Sequence, residues 1–365
     1  MSISYVLPTR DRATTLARTL HALGTLPHHD AEVIVVDNAS DVPAVAPALL
    51  ENGIPARVIR MDNNAGAAAR NAGAHAASGD WVVMLDDDSR PANTNFLAVL
   101  RSAPSGVLAM TADIHLSRGV RESGGLPEVP VGCGVAYRRD TFLDLGGYDA
   151  QFGYYAEEYD LAARILLAGG RVAFDDRFVI EHDKAKAGRD MDRILSCLVR
   201  NNGWVMQRYA PSNERRARLR SDRKRYRAIA RREHATDGFA KGLLELRASR
   251  AAQARSPLPP ALWDRFTGLA HARAAIAREL ERKHFGSAAV VAEGKNAWAI
   301  RRALVEAGVR LVGARGAATL VVGTLSPGPM LDASQQLGEG SRRVIKPWHA
   351  ERIDITSASA AGIAA

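Results

Sequence analysis

The sequence predicts an α/β protein with a mostly parallel sheet and helices on both faces of that sheet. A basic helical region and a small C-terminal βαβ unit are predicted to follow. Short apolar runs alternate with helical patterns up to about residue 180, as strands joined by helices do. Beyond residue 184 basic residues dominate, and a second strand–helix alternation begins near residue 287.

The apolar runs of the first part predict the strands of the main sheet. The predicted strands are 3–7, 32–36, 56–61 and 81–85, and the predicted helices are 12–24 and 64–77. Ligands of parallel sheets bind at the carboxyl ends of the strands. Polar residues follow each predicted strand, namely Thr9, Arg10, Asp37, Asp62 and Asp86. We therefore expect these residues to converge on one edge of the sheet.

Composition limits the class of protein and its partners. The 365 residues carry a net charge of +9, with a pI near 9.8, which favours an anionic partner such as a nucleotide, a nucleic acid or an acidic membrane. The two cysteines, Cys133 and Cys197, form neither a disulfide framework nor a CxxC metal motif, so a reducing compartment fits best. Neither a signal peptide nor a membrane-spanning run is visible. We expect a cytoplasmic protein that is soluble or peripheral to the inner membrane face.

The region from 184 to 283 is strongly basic, with 25 Lys or Arg against 10 Asp or Glu. Residues 213–232 predict an exposed helix, and 261–284 predict another. We expect no nucleic-acid partner, because no known nucleic-acid module is present and Tyr226 is the only aromatic residue of the densest basic run. A solvated helical face and a contact with an anionic membrane through 213–232 remain as alternatives.

Residues 285–350 predict a small Rossmann-like domain. Its strands are expected at 287–292, 309–312 and 318–323, with a helix at 295–307. Glycine-containing turns follow two of these strands, at 293–298 and 323–329, and such turns can bind phosphate. Neither turn matches a phosphate-binding fingerprint, so a role in interaction or homo-oligomerisation is favoured. The tail at 351–365 is expected to be disordered.

Carboxylates at two places suggest chemistry. Asp86, Asp87 and Asp88 follow an apolar strand; their mutual repulsion would be relieved by Mg²⁺ or Mn²⁺, which prefer oxygen ligands. A solvated acidic turn that caps the following helix is the alternative. Glu157 and Glu158 open a predicted helix, where acidic residues often only complement the helix dipole. As a general base, one of them would be kept ionised by that dipole.

These features occur together with others in one order along the chain. The segments are Leu7–Arg12, Val35–Ser40, Asp62–Gly66 with Ala69–Gly73, Leu85–Asp88 with Pro91, Arg138–Arg139, Leu145–Asp149, Phe152, Glu157–Leu161 and His182. In this order and spacing the sequence resembles the family 2 glycosyltransferases of GT-A fold over roughly residues 3–185. The resemblance implies a catalytic domain at 1–185. The basic composition of the region that follows predicts a basic helical extension at 186–284, on the acceptor side or in contact with a membrane or partner.

The resemblance implies an enzyme, an inverting hexosyltransferase that uses Mn²⁺ or Mg²⁺. It would move a sugar from a nucleotide-diphosphate sugar to an acceptor hydroxyl, and the acceptor would be a glycan, a lipid-linked molecule or a small natural product. Asp88 and Asp86, within the DXD motif, and His182 would form the metal corner. The nucleotide pocket would be formed by Pro8, Thr9, Arg10, Asp37, Asp62, Arg70, Asp86 and Asp87.

The catalytic base implied by the resemblance is Glu158, the second residue of the acidic pair. The family pattern has Asp at that position, so the longer side chain here leaves the choice between Glu157 and Glu158 open. Two other functions remain as alternatives. A metal-dependent nucleotidyltransferase would be expected to have a glycine-rich basic loop where this chain has Pro8–Asp11. A non-enzymatic nucleotide-sugar-binding protein would not need the intact acidic sets.

Overall fold

The main sheet of the protein is built by the first part of the chain. In a computed structural model, which describes residues 1–184, 190–338, 340, 342–350 and 352–355, eight strands form this sheet. They are β1 (Ile3–Thr9), β2 (Ala31–Asp37), β3 (Ala56–Arg60), β4 (Trp81–Met84), β5 (Ser89–Pro91), β6 (Val107–Leu116), β7 (Val135–Arg138) and β8 (Arg171–His182). Their order is β3-β2-β1-β4-β7-β6-β8-β5. The first four strands in that order are parallel, and β7 pairs antiparallel with both of its neighbours.

Twelve α-helices accompany the strands in the described part of the chain. They are α1 (Ala13–Gly24), α2 (Ala69–Ala76), α3 (Phe96–Arg101), α4 (Arg139–Asp144), α5 (Glu157–Leu167), α6 (Met191–Tyr209), α7 (Ser212–Arg232), α8 (Thr236–Ser249), α9 (Pro260–Thr267), α10 (Leu269–Arg282), α11 (Ala297–Glu306) and α12 (Pro327–Gly338).

Both faces of the main sheet are buried, because successive side chains of a strand point to opposite faces. Tyr5 and Val33 pack on the face covered by α1 and α3. Val6 and Ile34 pack on the face covered by α2, α4 and α5. This is the predicted arrangement of a sheet between two helical layers, and the predicted strands agree with the observed ones within two residues at each end.

A second, smaller sheet lies in the C-terminal part. Its strands are β9 (Ser287–Val291), β10 (Arg310–Leu311), β11 (Thr319–Val322) and β12 (Arg343–Ile345), all parallel, in the order β10-β9-β11-β12. One hydrophobic core joins this unit to the rest of the chain. It contains Phe152 of the first part, Trp204 of α6, Phe266 of α9 and Ile300 of α11. The three sequence regions therefore pack as one body.

Two predicted helices are interrupted by glycine. The helix expected at 64–77 begins with a 3₁₀ turn at Gly66–Ala68, and α2 starts only at Ala69. Gly66 has a φ of +63°, and a Cβ there would lie 2.3 Å from the carbonyl oxygen of Gly153. The helix expected at 261–284 is divided into α9 and α10 by Gly268, whose φ of +80° no right-handed helix allows.

The basic helix α7 is only partly exposed, which corrects the prediction for 213–232. Tyr226 and Ala230 are buried against α6 and α8, while a row of basic side chains faces outward. That row, here called the basic stripe, contains Arg216, Arg220, Lys224, Arg227 and Arg231. None of the helices in the described ranges has the length and apolarity needed to cross a bilayer.

The predicted disordered tail at 351–365 is described only at 352–355; its other residues lie outside the described part of the chain. Within that short piece the prediction is wrong for Ile353. Its backbone N–H donates to Asp175 Oδ2 at 3.1 Å, and its side chain is 8% exposed.

Candidate active site

A cleft of about 620 Å³ opens at the carboxyl ends of β1 and β4. It brings together most of the residues singled out by the sequence. The predicted site residues that line it are Pro8, Thr9, Arg10, Arg70, Asp86, Asp87, Asp88, Glu157, Glu158 and His182. The convergence follows from the parallel order of β2, β1 and β4, which directs their following loops to one edge.

Asp37 and Asp62 do not line this cleft. The Asp37 carboxylate is fully buried and accepts hydrogen bonds from the backbone N–H groups of Ser40 at 2.9 Å and Ala44 at 3.1 Å, and from Arg60 at 2.9 Å. It therefore holds the loop after β2 in shape, while the next residue, Asn38, faces the cleft. Asp62 is exposed.

The three aspartates after β4 are held by cationic and polar side chains. Arg70 is paired with Asp86, and Arg12 bridges Asp87 and Asp88, with 2.7 Å to the Asp88 Oδ2. Thr9 donates to Asp87 at 2.8 Å. Burial raises the pKa of Asp87 to about 6. Burial also acts to raise the pKa of Asp88, but its hydrogen bonds with His182 and Arg12 outweigh burial and lower it well below its usual range.

His182 ends β8 and completes this acidic corner. Its Nε2 lies 3.2 Å from Asp88 Oδ1 and 3.9 Å from Asp86 Oδ2. Its Nδ1 lies 3.1 Å from Glu122 Oε2 and 3.5 Å from Cys133 Sγ. Burial acts to lower the pKa of His182, but hydrogen bonds with Asp88, Cys133 and Glu122 raise it to about 12. In this arrangement the imidazole carries a proton that helps to balance the carboxylates.

The donor set fits a divalent cation. Ligand atoms of Asp86, Cys133 and His182 lie within 4.8 Å of one another. Asp88 Oδ1 lies beside His182 Nε2. Oxygen and imidazole ligands suit Mn²⁺, whereas Cys133 lies beside the other ring nitrogen and burial raises the pKa of its thiol. Metal-binding histidines commonly donate their second N–H to a carboxylate, and Glu122 is in that position.

Glu122 was not found by the sequence reasoning. It lies in an irregular segment after β6 with no helical or strand period, and no motif marks it. Its oxygens accept from Lys184 Nζ at 2.8 and 2.9 Å as well as facing His182. Burial acts to raise the pKa of Glu122, but His182 and Lys184 outweigh burial and lower it to about 2.

The acidic pair begins α5 on the opposite side of the cleft. The two residues before it, Tyr155 and Ala156, have φ values of 72° and 68°, which is strained backbone of the kind that collects at functional sites. Glu158 Oε1 accepts from the backbone N–H of Gly132 at 3.0 Å. Glu157 is 6% exposed, and its Oε2 has no hydrogen-bond partner among the described residues.

Burial governs the ionisation of this pair. It raises the pKa of Glu157 well above its usual value, with a further contribution from Glu158, and it raises the pKa of Glu158 as well. Burial therefore opposes the effect of the helix dipole on the ionisation of this pair. The loss of hydration outweighs the favourable dipole.

The C-terminal unit contributes to the cleft. The sequence favoured a role in interaction or oligomerisation for this unit and did not predict that contribution. Lys295, in the turn after β9, lines the cleft and donates a hydrogen bond to the Tyr159 hydroxyl. Tyr226 of the basic helix α7 also lines it. The signal in the sequence was the glycine-containing turn at 293–298, but nothing local shows that it reaches a residue 136 positions earlier.

Comparison with known proteins agrees with this geometry. Residues 4–112 match the family model Glycosyl transferase family 2. A pre-mycofactocin glycosyltransferase of Mycobacterium tuberculosis is 27% identical over 212 residues, which is 52% of this chain and 44% of that protein. The uncharacterized glycosyltransferase YwdF of Bacillus subtilis is 36% identical over 89 residues, 24% of this chain and 33% of that protein. The chain thus spans about half, or less, of the length of these relatives.

A solved structure shows the same fold. GalNAc-T7 with UDP, GalNAc and Mn²⁺ matches with a TM-score of 0.51 at 17% identity, over 69% of this chain and 57% of that chain. The family match covers β1 to β5 and part of β6, and so includes Asp86, Asp87 and Asp88 but not His182. The first part of the chain is therefore similar to family 2 glycosyltransferases over residues 4–112, and its mixed sheet with surrounding helices is a GT-A fold.

Proposed function

We propose that the protein is an inverting glycosyltransferase that moves a sugar from a nucleotide-diphosphate sugar to an acceptor hydroxyl, assisted by Mn²⁺ or Mg²⁺. One observation carries the proposal: a single cleft holds a carboxylate–histidine corner on one wall and the Glu157–Glu158 pair on another. The names of the relatives, and the UDP and Mn²⁺ in the GalNAc-T7 structure, support it.

Asp86, Asp88 and His182 are the residues that would hold the metal. A divalent cation bound there would neutralise charge on the departing diphosphate. Arg70 and Arg12 fix the orientation of the aspartates, and Arg10 lines the cleft as an additional positive charge for the nucleotide. A metal binds only an unprotonated imidazole nitrogen, so a cation at His182 Nε2 would displace the proton there.

Glu158 is the proposed base, and one contact and its lower burial favour it over Glu157. Its Oε1 is oriented by the Gly132 N–H, and its side chain is less buried, so it can reach an acceptor hydroxyl. Glu157 lies deeper, where Arg70 and Glu158 influence its ionisation. Glu158 would take the proton of the hydroxyl as that oxygen attacks the anomeric carbon, and a single displacement of this kind inverts the configuration.

The proposal is tested with Glu158→Gln and Glu157→Gln. Nucleotide diphosphates and nucleotide sugars are first screened with Mn²⁺ by thermal shift, because a ligand that binds the native state raises the melting temperature. Glu158→Gln is expected to keep the thermal shift of the wild-type protein and to lose transfer. Full transfer by Glu158→Gln with loss of transfer in Glu157→Gln would assign the base to Glu157 instead.

A further inference from the structure

A second cavity, of about 190 Å³, adjoins the cleft and shares Tyr159, Asn202 and Lys295 with it. Its walls come from α5, α6, α7, α9 and the turn that precedes α11, so all three parts of the chain meet there. Lys295 lines both spaces and interacts electrostatically with Glu158, so the cavity lies close to the proposed base. A molecule that offers a hydroxyl to Glu158 can extend into it.

Aromatic side chains form one part of the cavity wall. Trp263 stacks on Phe266 at 5.8 Å between ring centroids, and Phe266 meets Tyr159 edge-on at 6.2 Å. Trp298 also lines the cavity, with the Arg218 guanidinium 3.8 Å from its ring centroid. Apolar walls with a few polar groups are typical of small-molecule sites.

Positive charge is in excess in this cavity. Arg218, Arg225 and Lys295 line it against a single carboxylate, Asp222, whose oxygen lies 3.9 Å from Arg225. Burial and the neighbouring Arg225 lower the pKa of Lys295 to about 7. The Arg225 guanidinium also has a buried Nε without a hydrogen-bond acceptor among the described residues, whereas Arg218 Nε lies 3.2 Å from Glu214 Oε2. A negatively charged group would relieve this imbalance.

The turn that carries Lys295 is held rigidly. The Lys295 carbonyl accepts a hydrogen bond from the Leu325 N–H at 3.0 Å, and the Gly294 N–H donates to the Gly323 carbonyl at 2.9 Å. The next residue, Asn296, has a φ of 57° and donates through Nδ2 to the carbonyl of Thr267 at 2.9 Å. These contacts fix the position of the ammonium group beside Tyr159, as a preorganised binding residue requires.

We propose that this cavity is the acceptor subsite and that it takes a hydroxylated acceptor bearing a carboxylate or phosphate, bound by Lys295 and Arg225. The assignment rests on the proposed glycosyltransferase function. It gives the C-terminal unit a role in choosing the acceptor. Lys295 is the residue through which that unit acts, because it lines both the cleft and the cavity.

The test uses the full chain with Mn²⁺ and the nucleotide diphosphate found by thermal shift. Glucuronic acid, glucose 6-phosphate and neutral glucose are titrated by saturation-transfer NMR. We expect at least one charged sugar to bind more tightly than glucose, and Lys295→Met to weaken that binding about tenfold or more, the effect of losing a charge-assisted hydrogen bond. Preference between the two charged sugars identifies the anionic group.

Lys224→Met is the matched control, since it removes the same charge from the exposed stripe of α7. It should bind the charged sugar as the wild type does, and Lys295→Arg, which keeps the charge, should bind it more tightly than Lys295→Met. Equal binding of glucose and both charged sugars, or equal loss in Lys224→Met and Lys295→Met, overturns the subsite. Failure of every nucleotide sugar to bind the wild type overturns the proposed function itself.

Discussion

Replacement of Glu122 by Gln should weaken Mn²⁺ binding without removing any proposed ligand. The Glu122 side chain is 4% exposed, and its carboxylate lies 3.1 Å from His182 Nδ1. The Gln amide is nearly the same size but carries no charge, so it can neither stabilise the imidazole ring electrostatically nor pair with Lys184. Loss of such a carboxylate behind a metal-binding histidine typically costs 10–100-fold in metal affinity, or about 1.4–2.7 kcal/mol.

The measurement is the dissociation constant of Mn²⁺ by titration of the free ion's electron paramagnetic resonance signal. Glu128→Gln is the matched control, because Glu128 is also a buried glutamate with a cationic partner, Arg265, at 2.6 Å. It lies away from His182, so its loss should lower stability but leave Mn²⁺ affinity unchanged. An unchanged Mn²⁺ affinity in Glu122→Gln, or an equal loss in Glu128→Gln, would refute the reasoning.

Three further outcomes are expected. Gly132→Ala would place a Cβ 2.9 Å from Glu158 Oε1, so kcat should fall about tenfold or more because the base is displaced. The control Gly106→Ala has no atom within 4 Å of its added Cβ and should leave kcat unchanged. Equal kcat values in the two variants would contradict the contact. The base works only when ionised, above its pKa, and burial raises the pKa of Glu158 above the usual 4.5. In the wild type and in Lys295→Met, kcat at saturating Mn²⁺ should therefore fall with decreasing pH, with a midpoint above that value. A kcat that stays constant down to about pH 4.5 would contradict the role of Glu158 as base. If the basic stripe contacts anionic membranes, the protein should sediment with phosphatidylserine vesicles at low salt and be released at high salt, and absence of sedimentation at low salt removes that contact.

The strands and the acidic corner could be predicted because their signals are local. Runs such as Ile3–Leu7 are apolar because both faces of the sheet are covered, and the aspartates after β4 are contiguous. By contrast, the insertion of β7 between β4 and β6 depends on pairing across the sheet, which no local pattern of Val135–Arg138 specifies.

Two residues of the cleft could not be predicted because their roles also depend on long-range contacts. Glu122 and Lys295 lie in irregular segments, and their function depends on contacts with residues 60 and 136 positions away. Asp37 was correctly placed at the carboxyl end of β2, but its carboxylate is occupied by the N–H groups of the following loop. The ionisation of Glu158 could not be predicted either, because burial depends on the complete fold and competes with the dipole visible in the sequence.

The core that joins Phe152, Trp204, Phe266 and Ile300 has a consequence for how this protein can evolve. In an enzyme whose acceptor region is a separate module, that module can be exchanged or lost while the donor domain still folds. Here the wall that carries Lys295 packs against the part of the chain that forms the main sheet, through buried aromatic and aliphatic side chains. If this wall contacts the acceptor as proposed, substitutions beneath it would alter global stability as well as acceptor choice. New acceptor specificities would then be reached more readily by changing side chains on the cavity surface than by replacing the unit.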